Sequence, residues 1–261
     1  MDGLSPFDAA GNLIASEKSV LVVGGSSDIG HATALRYAQA GWRVLLAARD
    51  TGTARRNADD IGARTNVEIS VHALDVLQTE KLAEFVAGLP SLPDTVVCVV
   101  GELGDQARAQ SDPASATKTM RTNFEAPSLL LGLFAERFAA RNAGTIIGVS
   151  SVAGDRGRAS NYVYGAAKAG FSQYLSGLRN RMTLAGKVRV VTVKPGFVHT
   201  RMTDHLKLPA ALTVQPDRVA REIFQADVGG RRDVIYVGRR FWLVMTIICA
   251  LPERIFKRLR L

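Results

Sequence analysis

The sequence predicts an α/β fold: a single doubly wound domain with a mostly parallel, seven-stranded sheet and helices on both faces. Three observations predict it. Short β-branched runs alternate with helix-like segments along the chain. Most of these runs are apolar almost throughout, as strands buried on both faces must be. A glycine-rich turn follows the first run and opens a helix. The 261 residues, 47% of them hydrophobic, suffice for one core of that kind. The organisation read from composition is an N-terminal extension over 1–18, the α/β domain over 19–238 and a basic, apolar tail over 239–261.

The predicted strands are Ser19–Val23, Arg43–Ala47, Val67–Leu74, Thr95–Val100, Thr145–Val149, Val188–Val193 and Val234–Val237. Between them lie helical patterns such as His31–Ala40, closed by Gly41, and Pro127–Asn142, closed by Gly144. A glycine just past a helix end supplies the left-handed cap. The segment His199–Pro216 shows no clear strand, and its length suits a lid over a substrate site.

Composition excludes several classes. Cys98 and Cys249 sit in apolar runs and predict reduced packing residues, not a disulfide framework. The four histidines, His31, His72, His199 and His205, lack ligand spacing, so no metal site is expected. The stretch before Ser19 carries acidic residues and no long apolar core. It predicts no secretory signal and a cytoplasmic protein. Net charge is +9, concentrated at the end: from Arg231 to Leu261 eight Arg or Lys face only Asp233 and Glu253. That asymmetry predicts an anionic partner or surface. Nucleic acid is not expected, because the tail lacks aromatic platforms spaced along a polar face.

The first strand runs into VLVVGGSSDIGHATALRYAQAGW, where Gly24 and Gly30 bracket a tight turn. Glycine lets the backbone approach a pyrophosphate, and the helix start offers free N–H groups and a positive dipole end. This predicts a Rossmann-type dinucleotide site. The second strand ends LLAARD. A carboxylate there would hold a ribose 2′-OH; the position reads Ala48, followed by Arg49, whose guanidinium suits a 2′-phosphate. NADP(H) is therefore favoured, with NAD(H) the alternative because Asp50 follows.

Farther along, Tyr164 and Lys168 stand at i, i+4, on one face of a helix. An ammonium near a phenol favours the phenolate and lowers its pKa toward working pH. A tyrosine so placed can give a proton to a carbonyl oxygen. Ser151, just past the fifth strand, can hydrogen-bond the same oxygen.

Asn123, Ser151, Tyr164 and Lys168, in this order and spacing and with the glycine-rich turn, resemble the catalytic tetrad of the short-chain dehydrogenase/reductase family. The resemblance covers roughly Ser19 to Val237. It implies a nicotinamide-dependent oxidoreductase in which Asn123 holds a water in a proton relay through Lys168, and Lys168 also binds the nicotinamide ribose. The family's turn reads T-G-x-x-x-G-x-G. Here Val23 replaces the threonine and Asp28 the middle glycine. The cofactor's phosphates are expected at Gly24, Ser26, Ser27, Asp28, Ile29 and Gly30, with Asp28 capping a helix N–H or pointing outward. Asp75, with Val76, matches the aspartate beside the adenine. The fourth strand of the family ends N-A-G; here Val99 takes the asparagine's place and Gly101 remains as the close-approach glycine. VKPGFVHTRM resembles the family's P-G-x-V-x-T segment. Pro195 and Gly196 turn the chain, and Val198 and Thr200 hold the nicotinamide carboxamide. Family members commonly pair through the helix that carries the tyrosine, which implies a homo-oligomer.

The tail reads RRFWLVMTIICALPERIFKRLRL. Its apolar run, Phe241–Leu251, is too short to span a bilayer, which takes about 20 residues. Basic flanks and Trp242 suit a helix lying in a membrane interface at the inner face of the plasma membrane; the alternative is a helix docked on the body or on a partner subunit. GELGD, SSVAGDRGRASNYVYGAAKAG, HTRMTDHLK and LPERIFKRL are similar to the reductases of decaprenylphosphoryl-2-keto-ribose. That narrower resemblance implies a keto-pentose substrate carried on a polyprenyl phosphate, a flavin oxidase as working partner and a role in cell-envelope sugar epimerisation. Two other readings stay open: a soluble carbonyl, ketoacyl or steroid-type reductase of the same family, and a non-catalytic cofactor-binding regulator, the latter motivated by Asp28 and Val99.

Overall fold

The computed structural model describes residues 18–259. The predicted N-terminal extension lies outside them, apart from Lys18. Seven strands form one parallel sheet: β1 (Ser19–Val23), β2 (Arg43–Ala48), β3 (Ile69–Ala73), β4 (Thr95–Cys98), β5 (Gly144–Val149), β6 (Val188–Pro195) and, late in the chain, β9 (Val234–Val237). Their spatial order is β3-β2-β1-β4-β5-β6-β9, parallel throughout. Between β6 and β9 the short strands β7 (Phe197–Val198) and β8 (Thr213–Val214) pair with each other. The segment read as strandless from sequence thus holds a two-residue strand and a 3₁₀ turn at Ala210–Leu212. Elements that short leave no periodic signal.

The sheet divides two cores, and alternation along each strand feeds both. Leu21 and Val23 of β1 face one core while Val20 and Val22 face the other. The second core is covered by α1 (Asp28–Ala38), α2 (Thr51–Thr65) and α8 (Pro216–Gly229), through residues such as Tyr37, Ile61 and Ile223. The first is covered by α3 (Leu82–Ala87), α6 (Ala126–Arg141) and α7 (Tyr162–Ala185), through Leu82, Phe134 and Phe171. Continuous apolar runs in the sequence reflect this burial on both faces. The short helices α4 (Gln106–Ala109) and α5 (Pro113–Met120) lie beyond the end of β4. The helices α9 (Arg239–Ala250) and α10 (Glu253–Phe256) close the described chain.

Helix ends follow local chemistry, with two departures from the sequence reading. Helix α6 stops at Asn142, which itself takes the left-handed conformation (φ 53°), ahead of Gly144; asparagine tolerates that region better than other non-glycine residues. Helix α1 starts earlier than expected, at Asp28, because Ser27 caps it by accepting from Gly30 N at 3.0 Å.

A buried polar knot ties three elements together. Tyr37 of α1 and Thr95 of β4 each donate to Asp227 Oδ2 of α8 at 2.7 Å. All three residues are buried, and Arg189 donates to the carbonyls of Ala226 and Asp227. Burial first, and then the charge of Asp227, push the Tyr37 pKa well up. Removing the carboxylate orphans two hydroxyls inside the core, so Asp227→Ala should cost about 2–4 kcal/mol of unfolding free energy in urea titration. A change within about 0.5 kcal/mol would contradict the account.

Candidate active site

The strand order reverses between β1 and β4, so the connections leaving their carboxyl ends diverge and open a crevice. Two cavities line it, of about 660 and about 230 Å³. They share Val99, Val100 and Gly101, the extension of β4, and so form one groove.

Lys168 sits at the floor of the larger cavity. Only 3% of it is exposed, and its Nζ donates to the carbonyls of Val149 (3.1 Å) and Val100 (3.3 Å). Those carbonyls belong to the ends of β5 and β4, so the ammonium bridges the strands where they part. Burial lowers its pKa to about 8. Tyr164, one turn earlier, lines the same cavity with Ser151. The lysine nitrogen lies 5.9 Å from the Tyr164 ring centroid. The tyrosine pKa runs opposite to the sequence expectation: burial raises it, and the Ser151 hydroxyl only partly offsets this. The Lys168 ammonium is engaged by the two strand-end carbonyls, and burial outweighs it at the phenol. Ser150, the neighbour of Ser151, is engaged by the Lys168 carbonyl (2.9 Å) and Ser172 (2.7 Å). Tyr162 points elsewhere and is 45% exposed.

Asn123 is fully buried in a π-turn, Arg121–Glu125, between α5 and α6. Such turns recur at functional positions. Its side chain does not line the cavity. Nδ2 donates to the carbonyls of Glu102 (2.7 Å) and Thr119 (2.9 Å), while Oδ1 accepts from Glu102 N (3.3 Å). The side chain thus clamps Glu102, on the β4 extension, by both its N–H and its carbonyl and is spent, leaving the main chain for any relay. This clamp braces the segment where Val99 stands in place of an asparagine. A Cβ on Gly101 would come within 2.8 Å of Asn123 Oδ1 and 3.2 Å of Lys168 Nζ, so only glycine fits there.

The smaller cavity carries the dinucleotide-type features. Gly24, Ser26, Ser27, Arg49, Asp75 and Val76 line it, and Ile29, Pro195, Gly196, Val198 and Thr200 line the larger one. The residues fit an extended dinucleotide. Gly24 has φ 94°, and a Cβ on it would meet Val99 at 2.9 Å; a Cβ on Gly30 would meet Gly24 O at 2.3 Å. Gly30 therefore serves the tightness of the turn and does not line the groove. At the β2 end, Asp50 caps α2, accepting from Thr53 N (2.9 Å) and Oγ1 (2.6 Å). These bonds lower its pKa and commit its carboxylate to the helix, while Arg49 forms no ion pair among the described residues. Asp75 accepts from Leu77 N at 3.1 Å.

Asp28 is a correction. It neither caps α1 nor lines the groove. Its carboxylate accepts from Arg201 N (2.7 Å) and Nε (2.9 Å), and the same guanidinium reaches Ser26 O. The segment after β7 is thereby tied across the glycine-rich turn, and it brings Met202, Thr203, His205 and Leu206 to the larger cavity. Sequence reading placed this segment near the pocket but missed Arg201, whose partner is 173 residues away. It also missed Arg158, Gln106 and Asn161, which line the same cavity; no short motif marks them.

The tail is a docked helix with a second, open face. Phe241 and Met245 of α9 pack with Val152, Phe197, Leu212 and Tyr236. Phe241 occupies the space over Gly196, where a Cβ would lie 2.0 Å from its ring. Arg156 donates to Glu253 and to the Cys249 carbonyl. Trp242, Leu243 and Ile247 are all more than half exposed, and Arg254, Lys257 and Arg258, in and just after α10, are exposed as well. No helix among the described residues is long and apolar enough to cross a membrane, and no group of His, Cys, Asp and Glu there could hold a metal ion.

A family model described as short chain dehydrogenase matches residues 18–210. An uncharacterised oxidoreductase of Mycobacterium tuberculosis is 35% identical over 243 residues, covering 92% of this chain and 96% of its own length. One of Streptomyces coelicolor is 33% identical over 262 residues, covering 97% and 99%. A solved structure titled short chain dehydrogenase/reductase family protein superposes with a TM-score of 0.76 at 25% identity, over 85% of this chain and 96% of that one.

The buried lysine makes stability depend on pH. Its folded pKa of about 8 lies below the unfolded value of about 10.4. Between these the unfolded chain binds more protons, so unfolding free energy should gain up to roughly 3 kcal/mol from this residue as pH rises. Lys168→Met should flatten that rise in urea titrations at pH 7.5 and 10; an unchanged slope would refute the burial argument.

Proposed function

The chain belongs to the short-chain dehydrogenase/reductase family and is an oxidoreductase, and on that premise we propose that it uses NADP(H) to reduce the 2-keto group of a pentose linked to a polyprenyl phosphate. The observation that carries the reading is the convergence of Ser151, Tyr164 and Lys168 on one cavity continuous with a glycine-rich groove. A nicotinamide cofactor in that groove supplies the hydride. The chain's own groups do the rest. Tyr164, kept protonated by its raised pKa, gives its proton to the carbonyl oxygen as charge develops there. Ser151 donates a hydrogen bond to the same oxygen. Lys168 stands one turn away with a pKa near working pH, able to pass a proton toward Tyr164, with the Asn123 main chain closing the relay. Arg49 supports a 2′-phosphate because Asp50 is committed to its helix cap.

The lipid-linked substrate draws support from the tail. Helix α9 packs behind Val152 and Phe197, which also line the cavity. Its open apolar face and neighbouring cations suit a bilayer with anionic headgroups. This reading places the chain at the inner face of the plasma membrane, supplied with its keto sugar by a flavin-dependent oxidase and working as a homo-oligomer in cell-envelope sugar epimerisation.

Oxidation of NADPH and NADH with a polyprenyl-phosphoryl 2-keto-pentose tests the chemistry. NADPH should be preferred, and Arg49→Ala should narrow the preference. Tyr164→Phe should lose at least about a hundredfold in kcat while still binding NADPH; loss of cofactor affinity instead would contradict the assignment. For the membrane part, the chain should pellet with phosphatidylglycerol vesicles and stay soluble with phosphatidylcholine ones, and the double change Trp242→Ser, Ile247→Ser should abolish pelleting. Failure to pellet with either lipid would remove the bilayer from the proposal, and equal pelleting with both would remove the anionic headgroup.

A further inference from the structure

The cavity beside Tyr164 contains a polar cluster that the reduction itself does not use. Arg158, Gln106 and Asn161 all line it. Each carries a buried side-chain atom without a hydrogen-bond partner: Nε of Arg158, Nε2 of Gln106 and Oδ1 of Asn161. A buried polar atom left unpaired is costly, and most are paired in folded proteins. Three on the wall of one cavity form a pattern that isolated packing errors would not give.

Local bonds hold the three together and set their orientation. Val163 N donates to Gln106 Oε1 at 3.0 Å, so the amide NH₂ is the group left over. Asn161 N donates to the Arg158 carbonyl at 3.1 Å. The Arg158 guanidinium reaches Met245 Sδ at 3.4 Å, a weak acceptor. Its neighbouring carboxylate, Asp155, is taken on one oxygen by Lys194 (2.5 Å) and on the other by Tyr236 (2.9 Å). Arg156, two residues before, has Glu253. Arg158 itself forms no ion pair among the described residues, and burial holds its pKa below the usual arginine value. It is a half-buried cation on the cavity wall that Asp155 meets through space but not in an ion pair.

The chemistry of the complement follows. A guanidinium pairs best with a planar or tetrahedral oxyanion. The Gln106 NH₂ offers a second donor to the same group. Asn161 Oδ1 can only accept, so it calls for a hydroxyl. A hydrocarbon ketone offers none of these.

We propose that Arg158, Gln106 and Asn161 form the anchoring subsite of this cavity, and that the substrate ketone carries a phosphate-ester oxyanion held by Arg158 and Gln106 and a hydroxyl held by Asn161. The proposal rests on the reading of the cavity as a ketone-reduction site and deepens it by naming the recognised groups. The phosphate ester belongs either to a soluble sugar phosphate or to a lipid carrier.

Two matched pairs of probes test it on the full chain with cofactor present. In turnover, D-ribulose 5-phosphate is compared with D-ribulose as ketone, with NADPH. In calorimetry, geranyl phosphate is compared with geraniol, with NADP⁺. The wild type should favour the phosphorylated member of at least one pair. Arg158→Met should reduce that preference roughly ten- to hundredfold, through KM more than kcat in the turnover arm, and Arg158→Lys should restore part of it. Gln106→Glu, which keeps the acceptor for Val163 N but brings a negative charge, should lose the preference as well and provides an independent variant should Arg158→Met misfold. A preference confined to ribulose 5-phosphate assigns the phosphate to a soluble sugar; one confined to geranyl phosphate assigns it to a lipid carrier. Equal treatment of both pairs by the wild type, or equal loss on both members in Arg158→Met, overturns the subsite. Arg158-dependent binding of geranyl phosphate with no ketone reduced would sustain the subsite and count against the ketone-reduction reading instead.

Discussion

A single ammonium group fixes the geometry on which the site depends. Lys168 reaches from α7 to carbonyls at the ends of two neighbouring strands, Val149, the last residue of β5, and Val100, two residues past β4. Strand ends in a parallel sheet leave carbonyls without ladder partners, and burial makes such groups expensive to leave unpaired. The lysine satisfies two of them and is itself desolvated in doing so. One interaction therefore sets the depth of α7 against the sheet, the position of Tyr164 one turn away and the proton affinity of the amine. Gly101 is the corollary, since a Cβ there would collide with Asn123 Oδ1 and crowd the Lys168 ammonium.

The fold was legible because its signal is spread over many residues. Seven apolar, β-branched runs alternate with helical patterns, and the central runs are buried on both faces, so sequence and sheet agree to within two residues at most strand ends. The tyrosine, lysine and serine were legible for another reason: an i, i+4 pair on one helix, preceded by a strand end, is local and keeps its meaning without tertiary information. Ser26, Ser27 and Gly24 were legible from the turn they build. Gly30 belongs to the same turn, yet it closes the turn against the Gly24 carbonyl and does not line the groove.

What was not legible is pairwise and distant. Asp28 reads as a capping residue because aspartate caps helices well, but Ser27 already accepts from Gly30 N, and a free carboxylate near the turn finds Arg201 instead. Nothing in either local sequence signals a bond across 173 positions. The direction of the Tyr164 pKa was misread for a similar reason. Spacing puts a lysine on the same helical face, but it reveals neither the burial of the phenol nor the two strand-end carbonyls that engage the lysine nitrogen. Arg158 looked like one more basic residue in a basic chain. Only the commitment of Asp155 to Lys194 and Tyr236 distinguishes it.

These distant pairs connect the tail to the site. The sequence sets a docked helix against one lying on a membrane; the structure docks one face of α9 and leaves another exposed. The inner face is specified by glycine: Phe241 sits where Gly196 has no side chain, directly after Pro195 at the end of β6. A residue whose small size would suit close approach to a cofactor therefore also makes room for the tail. Met245, one turn on, touches both the Val152 cluster and the Arg158 guanidinium. Val152 lines the cavity, so Met245 touches both the cavity wall and the Arg158 side chain. The open face, with Trp242, Leu243 and Ile247, lies on the same helix. Phe241 and Met245 thus join the packing of α9 to the wall of the cavity.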